Sequence, residues 1–344
     1  SAAERALINP AGGSIGILAS CRTVFAGQNK ELNNLVVKAL FKRSDDGRYT
    51  NTIGEAISEG KNQYAKTPSL RDKNRLPYLL LGDPAIRLHY PDDYMVKTAY
   101  KPDTIHALDM DTIQGYIATH QGDTATDFNG RVQITVFDKL QSVQTLNNDK
   151  PSSSVRYTFT EYSNMLFNGE AKVENGKFSL EYLMPKDIKY NYGNGHVIFY
   201  AYDTITSEHG NGYYNDFVVG GSSENQLVDT LGPQMNIYLN NRNFSSGDAV
   251  NNQPRFMADL YDENGINTIG NGIGHDLLLT IDNSSEQVYS LNNSFVSSLG
   301  DYRSGSVSYR LPELTEGKHT LSFRAWDIAG NSTTKSLDFI VEND

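Results

Sequence analysis

The only cysteine of the 344-residue chain, Cys21, is the residue best suited to covalent chemistry. A thiolate held beside a protonated histidine can attack a peptide carbonyl, so Cys21 is a candidate nucleophile. Cys21 also follows the small apolar segment 14–19 closely. The competing interpretation is therefore a packed or partly exposed thiol without a chemical role. The nearest histidine in the sequence, His89, lies far along the chain, and we favour the interpretation without catalysis.

Four residues directly after Cys21 form a candidate substrate pocket: Arg22, Thr23, Val24 and Phe25. Loops at the carboxyl ends of strands line the ligand crevices of α/β sheets. An ordinary surface loop explains the same residues almost as well, so both interpretations stay open.

Oxygen-bearing side chains gather in the last third of the chain, where Asp262, Glu263 and Asn264 are consecutive and Asp276 follows. Carboxylate and amide oxygens are the ligands that calcium takes in proteins. The spacing is not that of an EF-hand, so solvated turn residues are favoured over a weak calcium site at Asp262 and Asp276. No other cofactor is indicated, and a single cysteine excludes a multi-cysteine metal site.

Residues 1–95 have the pattern of an α/β domain with a parallel sheet. Residues 14–19 and 77–81 are short apolar runs without alternation, as in strands covered on both faces. Between them, apolar residues recur at helical spacing from Leu32 to Leu40, and Thr52 with Glu55 fits the capping box of a second helix. Asp83, between a glycine and a proline, is expected to form a turn rather than to act as a catalytic carboxylate.

From about residue 100 the helical period disappears. Two sets of β-branched and aromatic runs, separated by Gly, Asn and Asp turns, predict two antiparallel β-sandwiches over 96–225 and 226–344, the second immunoglobulin-like. In the last of these, Leu321, Phe323 and Ala325 are predicted to face inward and Trp326 outward.

Charge and hydropathy exclude two classes of partner. Lys and Arg total 30 against 41 Asp and Glu, a net charge of −11 without a basic run, so no nucleic-acid partner is expected. No run approaches the roughly 20 apolar residues that span a bilayer, and the first residues lack the apolar core of a signal peptide.

Part of the chain resembles the closing third of a gingipain catalytic domain, peptidase family C25. The resemblance lies in residues 12–25, in the helix after them and in the run Leu81, Gly82, Asp83, Pro84. Segments 128–132, 169–173, 262–267 and 274–276 resemble the β region of the PorU-type branch of that family. In the family, a His-Gly motif and a nucleophilic cysteine on the next strand both precede the Gly-Gly strand. Neither motif occurs in residues 1–20, so the resemblance implies that the catalytic pair is absent from this chain.

The resemblance implies a cysteine endopeptidase that acts as signal peptidase and sortase of the type IX secretion system, secreted across the inner membrane and held at the outer-membrane surface. It implies cargo proteins with C-terminal secretion signals as substrates and the barrel protein PorV as a partner, through a domain beyond Asp344. It also places the loop 22–25 at the substrate pocket, with Val24 or Phe25 as a wall. The chain alone is expected to be inactive.

A second function class remains open from the residues themselves, a surface adhesion or glycan-binding protein without enzymatic activity. Exposed tyrosine rings can stack on sugars. The candidates lie between residues 190 and 214: Tyr190, Tyr192, Tyr200, Tyr202, Tyr213 and Tyr214. Against this interpretation, an adhesin has no evident use for the α/β segment.

Overall fold

The computed structural model describes most of the chain, namely residues 2–9, 13–45, 49–67, 74–88, 90–91, 93–99, 103–148, 155–186, 188–223, 229–268 and 275–342. By their internal contacts the residues divide into two compact units, Ser1–Asp92 and Asp93–Asp344. Among the described helices, none combines the length and apolar character that a membrane span requires.

The described residues of the first unit form three helices and one strand pair. Its elements in chain order are α1 (Ala2–Ile8), β1 (Gly16–Ser20), α2 (Ala26–Leu40), α3 (Ile53–Ala65) and β2 (Tyr78–Gly82). The predicted capping box is confirmed, because the Thr52 hydroxyl accepts from the backbone N–H of Glu55 at 3.2 Å and the Glu55 carboxylate accepts from that of Thr52 at 2.8 Å. Two backbone donors that the first turn leaves free are thereby satisfied.

The parallel orientation predicted for this unit is wrong for its two described strands. β1 and β2 pair antiparallel, with Leu18 opposite Leu80, and β1 is only partly buried. Apolar runs without alternation report burial but not strand direction, because side chains alternate between faces in the same way in both orientations. Residues 85–88 after β2 form a turn and a loop.

Helices α2 and α3 approach each other closely at Gly60. A methyl group added there would lie 2.6 Å from Val36 Cγ2 and 2.9 Å from Val36 Cα, and the latter is backbone that cannot rotate away. Glycine is therefore present because the helices touch, although it weakens a helix interior by about 1 kcal/mol relative to alanine.

We expect Gly60→Ala to destabilise the first unit by about 1–2 kcal/mol, because an overpacking cost of about 1–3 kcal/mol exceeds the gain in helix propensity. Gly27→Ala in α2 is the matched control, since nothing lies within 4 Å of the added methyl group; it should stabilise by up to about 1 kcal/mol. Thermal unfolding followed by circular dichroism at 222 nm measures both. Stabilisation by Gly60→Ala would contradict this, because it would show that α2 and α3 move apart at little cost in free energy.

The second unit begins with strands that build a seven-stranded, a three-stranded and a two-stranded sheet. Their bounds are β3 (Tyr94–Thr98), β4 (Thr104–Ala107), β5 (Met110–Ala118), β6 (Gly130–Phe137), β7 (Gln141–Gln144), β8 (Thr158–Glu161), β9 (Met165–Val173), β10 (Lys177–Leu183), β11 (Gly193–Asn194), β12 (His196–Asp203), β13 (His209–Tyr214) and β14 (Val218–Ser222). The sheet orders are β10-β5-β3-β13-β12-β6-β9, β11-β14-β4 and β7-β8. Buried residues of the first two sheets form one hydrophobic core.

The tight turn between β9 and β10 follows from two residues. Asn175 and Gly176 both have positive φ, 50° and 72°, as the two central residues of a type I′ turn require. Gly176 also approaches the carbonyl of Ala125 so closely that a Cβ would lie 2.3 Å from its oxygen. The predicted tight Asn-Gly turn is confirmed, and Glu174 bridges to Lys177 across it. The predicted hairpin goes no further, because β9 pairs with β6 and β10 with β5, at opposite edges of the seven-stranded sheet.

The remaining strands build a four-stranded and a five-stranded sheet around a second core. They are β15 (Gln234–Leu239), β16 (Ala249–Val250), β17 (Arg255–Tyr261), β18 (Leu278–Ile281), β19 (Val288–Ser290), β20 (Phe295–Ser298), β21 (Asp301–Arg310), β22 (Gly317–Trp326) and β23 (Ser332–Val341). In β22 the predicted alternation is confirmed: Leu321, Phe323 and Ala325 are fully buried, whereas Trp326 is only partly buried.

The antiparallel prediction needs a correction in this unit. Most described pairs are antiparallel, but β13 pairs parallel with β3, β14 with β4, and β16 with β23. Each parallel pair joins strands that are distant in sequence, which local turn signals cannot reveal. The domain boundaries at 95 and 225 stay a prediction. Both groups of β-strands lie in one compact unit, and Tyr302 of β21, in the second group, packs against the core of the first group.

Candidate functional site

Cys21 lies at the end of β1, where its backbone N–H donates to the carbonyl of Pro77 at 2.8 Å. Its thiol is free and exposed. Within the described part of the chain no histidine hydrogen-bonds this thiol, and His89 lies outside the described residues. The base that would activate a nucleophilic thiol is therefore not brought to Cys21 by any described element.

The loop Arg22, Thr23, Val24, Phe25 connects β1 to α2. Arg22, Thr23 and Phe25 are exposed and Val24 is half-buried, and the ring of Phe25 keeps 61% of its surface accessible. An apolar ring held this far into solvent at a strand end is available to a ligand. The role of this loop in a substrate pocket stays a prediction.

A buried asparagine fixes the backbone of this loop. The amide of Asn74, which has no exposed surface, accepts from the N–H of Phe25 at 3.1 Å and donates to its carbonyl at 2.8 Å. Asn74 also donates to the side chain of Asn29 in α2. Asn74 is not predictable from the sequence, because nothing near residue 74 shows that its partner is Phe25.

Asp83 forms the turn that the sequence predicts. Its carboxylate accepts from the N–H of Ala85 at 2.8 Å, an Asx turn directly after β2. The carboxylate is therefore already used by the backbone, and a local structural role accounts for it.

The second unit brings three aspartates together. One carboxylate oxygen from each of Asp229, Asp262 and Asp327 lies within 4.8 Å of the other two. Asp327 has no exposed surface and Asp262 is 7% exposed. Asp262 follows β17 and Asp327 follows β22, so a loop at the end of one strand in each sheet supplies these two side chains.

Local hydrogen bonds hold the cluster in place. The Asp327 carboxylate accepts from the N–H groups of Gly330 and Asn331, and Asp262 accepts from the N–H of Asn264. Burial raises the pKa of Asp262 to about 6, and the neighbouring charges of Asp327 and Asp229 add to the shift. Burial likewise raises the pKa of Asp327.

Oxygen ligands of this kind suit a hard divalent cation such as calcium, which takes six to eight oxygens. The cluster includes Asp262 of the weak calcium prediction but not Asp276, whose carboxylate accepts from the side chains of Asn292 at 2.8 Å and Ser290 at 3.4 Å. Asp229 was missed, because no local pattern joins it to the other two. Calcium binding stays a prediction.

Comparison with known proteins gives the class of the chain. The family model described as peptidase family C25 matches residues 1–89, which include β1, the loop 22–25, α2, α3 and β2. Dimeric latent PorU from Porphyromonas gingivalis is 30% identical over 95% of this chain, with a TM-score of 0.45. Residues 1–89 therefore belong to peptidase family C25. The chain spans 31% of the length of that PorU chain.

Two other solved structures are similar at lower identity. The Arg-specific cysteine proteinase gingipain R is 14% identical over 60% of this chain and 38% of its own, with a TM-score of 0.22. CopC from Methylosinus trichosporium OB3b is 17% identical over 31% of this chain and 95% of its own, with a TM-score of 0.21. No curated protein sequence matches the chain.

Proposed function

We propose that the chain is the C-terminal part of a cysteine endopeptidase that removes C-terminal secretion signals from cargo proteins, the signal peptidase and sortase of a type IX secretion system. The observation that carries the proposal is the 30% identity with PorU over 95% of the chain, together with the family match over residues 1–89. The whole protein would act at the cell surface, associated with the outer membrane after secretion across the inner membrane.

In this proposal the catalytic histidine and cysteine belong to sequence upstream of the chain, and Cys21 is not the nucleophile. The support for this is that no described histidine hydrogen-bonds the thiol of Cys21, so no described base activates it. The loop of Arg22, Thr23, Val24 and Phe25 lines the substrate pocket. The support for that role is the exposed ring of Phe25 on a backbone that Asn74 holds.

We further propose that residues 1–95 complete a gingipain-like catalytic domain and that 96–225 and 226–344 are two sandwich domains, the second immunoglobulin-like. Two separate hydrophobic cores, each supplied by two sheets, support the two β domains. Cargo proteins with C-terminal secretion signals would be the substrates, and the barrel protein PorV would be a partner through sequence beyond this chain.

The test compares this chain with a longer form that adds the upstream sequence, using cleavage of a C-terminal secretion-signal peptide. We expect only the longer form to cleave, and Cys21→Ala in the longer form to keep its kcat. Phe25→Ala should raise KM for the peptide and change kcat less, because Phe25 binds and does not react. Cleavage by the short chain that Cys21→Ala abolishes would overturn the proposal.

A further inference from the structure

The outer face of the seven-stranded sheet carries a row of aromatic side chains. In β12, Val197, Phe199 and Ala201 point into the core, so the alternate residues of the strand point away from it. We call the following set the aromatic face: Phe137 of β6, Tyr162 before β9, His196, Tyr200 and Tyr202 of β12, and Tyr213 of β13. These rings belong to adjacent strands, with His196 opposite Phe137 and Ile198 opposite Tyr213.

Neighbouring rings of the aromatic face contact each other; Tyr213 is exposed and the other five residues are half-buried. Tyr162 stacks on His196 with ring centroids 4.6 Å apart, and Tyr213 lies 5.9 Å from His196. Tyr200 and Tyr202 lie 6.3 Å apart further along β12. Tyr213 keeps 70% of its surface accessible, so its ring is fixed beside its neighbours and yet open to a ligand.

Neutral polar groups surround these rings. On β6 and β9, the Asn168 amide oxygen accepts from Gln133 at 3.3 Å and from the Thr135 hydroxyl at 3.2 Å. Asn211 of β13, opposite Tyr200, is exposed. Amides and hydroxyls both donate and accept hydrogen bonds, so they can match a ligand that also presents donors and acceptors.

The charge of this face differs from that of the whole chain. The chain carries a net charge of −11, but charges of both signs balance beside the rings. Arg131 pairs with Glu170 at 3.2 Å and Lys172 with Glu174, while Lys97 of β3 and Glu208 before β13 add one charge of each sign. A nucleic acid would need a basic groove beside the stacking rings, and the described residues of this face form none. A face without net charge is complementary in charge to an uncharged ligand.

We propose that the aromatic face binds a neutral polysaccharide. Aromatic rings pack against the apolar C–H faces of sugar rings, while amide and hydroxyl groups orient the ligand by hydrogen bonds to its hydroxyls. Tyr213 is the principal stacking residue because its ring is the most accessible, and Tyr200 and Tyr202 extend the platform along β12. The site is independent of the proposed peptidase function, since it needs neither Cys21 nor any upstream sequence.

The test is electrophoresis of the full 344-residue chain in native gels that contain dextran, mannan, galactomannan or xylan, with polygalacturonate as an anionic probe. We expect at least one neutral polysaccharide to retard the chain, and Tyr213→Ala to weaken that retardation about tenfold, the loss of one good contact. Tyr213→Phe should keep most of the binding, because the ring stacks and the hydroxyl does not.

Tyr157→Ala is the matched control, since Tyr157 is 68% exposed but lies before β8, outside the aromatic face; it should bind as the unchanged chain does. Three results would overturn the proposal: no retardation by any of the four neutral polysaccharides, retardation by polygalacturonate alone, or equal retardation of Tyr213→Ala and Tyr157→Ala. Self-association that Tyr213→Ala abolishes in gel filtration would instead assign the face to a second copy of the chain and would also overturn it.

Discussion

Lys139→Met should lower the free energy of unfolding of the second unit by about 3–5 kcal/mol, because it leaves the buried carboxylate of Asp138 without its cation. The Lys139 ammonium donates to Asp138 Oδ1 at 2.7 Å and to the carbonyl of Lys189 at 2.8 Å. Asp138 has no exposed surface and Lys139 is nearly buried. Methionine fills the same space with an uncharged chain, so the loss reports the charge rather than a cavity.

Two further variants separate the charge from the packing. Asp138→Asn combined with Lys139→Met removes both charges and should recover much of the loss, since a buried pair replaced as a whole costs little. Arg242→Met breaks the exposed pair with Asp259, 2.8 Å long, and should cost about 1 kcal/mol or less. Urea unfolding followed by circular dichroism measures all three. Equal losses for Lys139→Met and Arg242→Met would contradict the argument.

The features that the sequence predicted correctly depend on neighbouring residues. The capping box at Thr52 and the Asn175–Gly176 turn are local, since their partners lie within a few positions in the chain. The inward face of β22 follows from its alternation alone. In each case the residues that form the pattern are close together in the sequence and are the same residues that form the structural feature. The pattern alone therefore identifies the feature.

The features that it could not predict depend on residues brought together by the fold. The direction of β2 relative to β1 is set by the path of the chain through α2 and α3, on which an apolar run carries no information. Asn74 contacts Phe25, and Asp327 joins Asp229, across long stretches of sequence. Single acidic or amide residues in loops are common, so none of these is distinctive until its partner is known.

The aspartate cluster should make the protein less stable as the pH rises from about 4 to about 6. The folded-state pKa of Asp262 is about 6, above the value of about 4 of an unperturbed aspartate. Between these values the folded state binds more protons than the unfolded state, so unfolding becomes easier with rising pH. Above pH 6 the charged carboxylate is present in the folded state, beside two others and largely out of water.

Asp262→Asn should remove this cost and stabilise the protein at neutral pH by on the order of 2 kcal/mol, given that one pKa unit corresponds to about 1.4 kcal/mol. Near pH 4 the variant and the unchanged protein should be equally stable, because Asp262 is then protonated when folded. EDTA in every sample keeps divalent cations away from the three carboxylates, and urea unfolding at several pH values between 4 and 8 gives the difference.

Asp259→Asn is a control of opposite sign. The Arg242 guanidinium that hydrogen-bonds Asp259 lowers the pKa of that carboxyl, so its stabilising effect is fully present above the unfolded-state value of about 4. This variant should therefore be less stable than the unchanged protein by an amount that stays constant from pH 4 to pH 8. If instead the Asp262→Asn difference stays constant from pH 4 to pH 8, the folded state does not hold the proton of Asp262 more tightly than the unfolded state does. Water or a hydrogen-bond partner would then stabilise the charged carboxylate of Asp262 in the folded state. The charge repulsion from Asp229 and Asp327 would be too weak to shift the titration of Asp262.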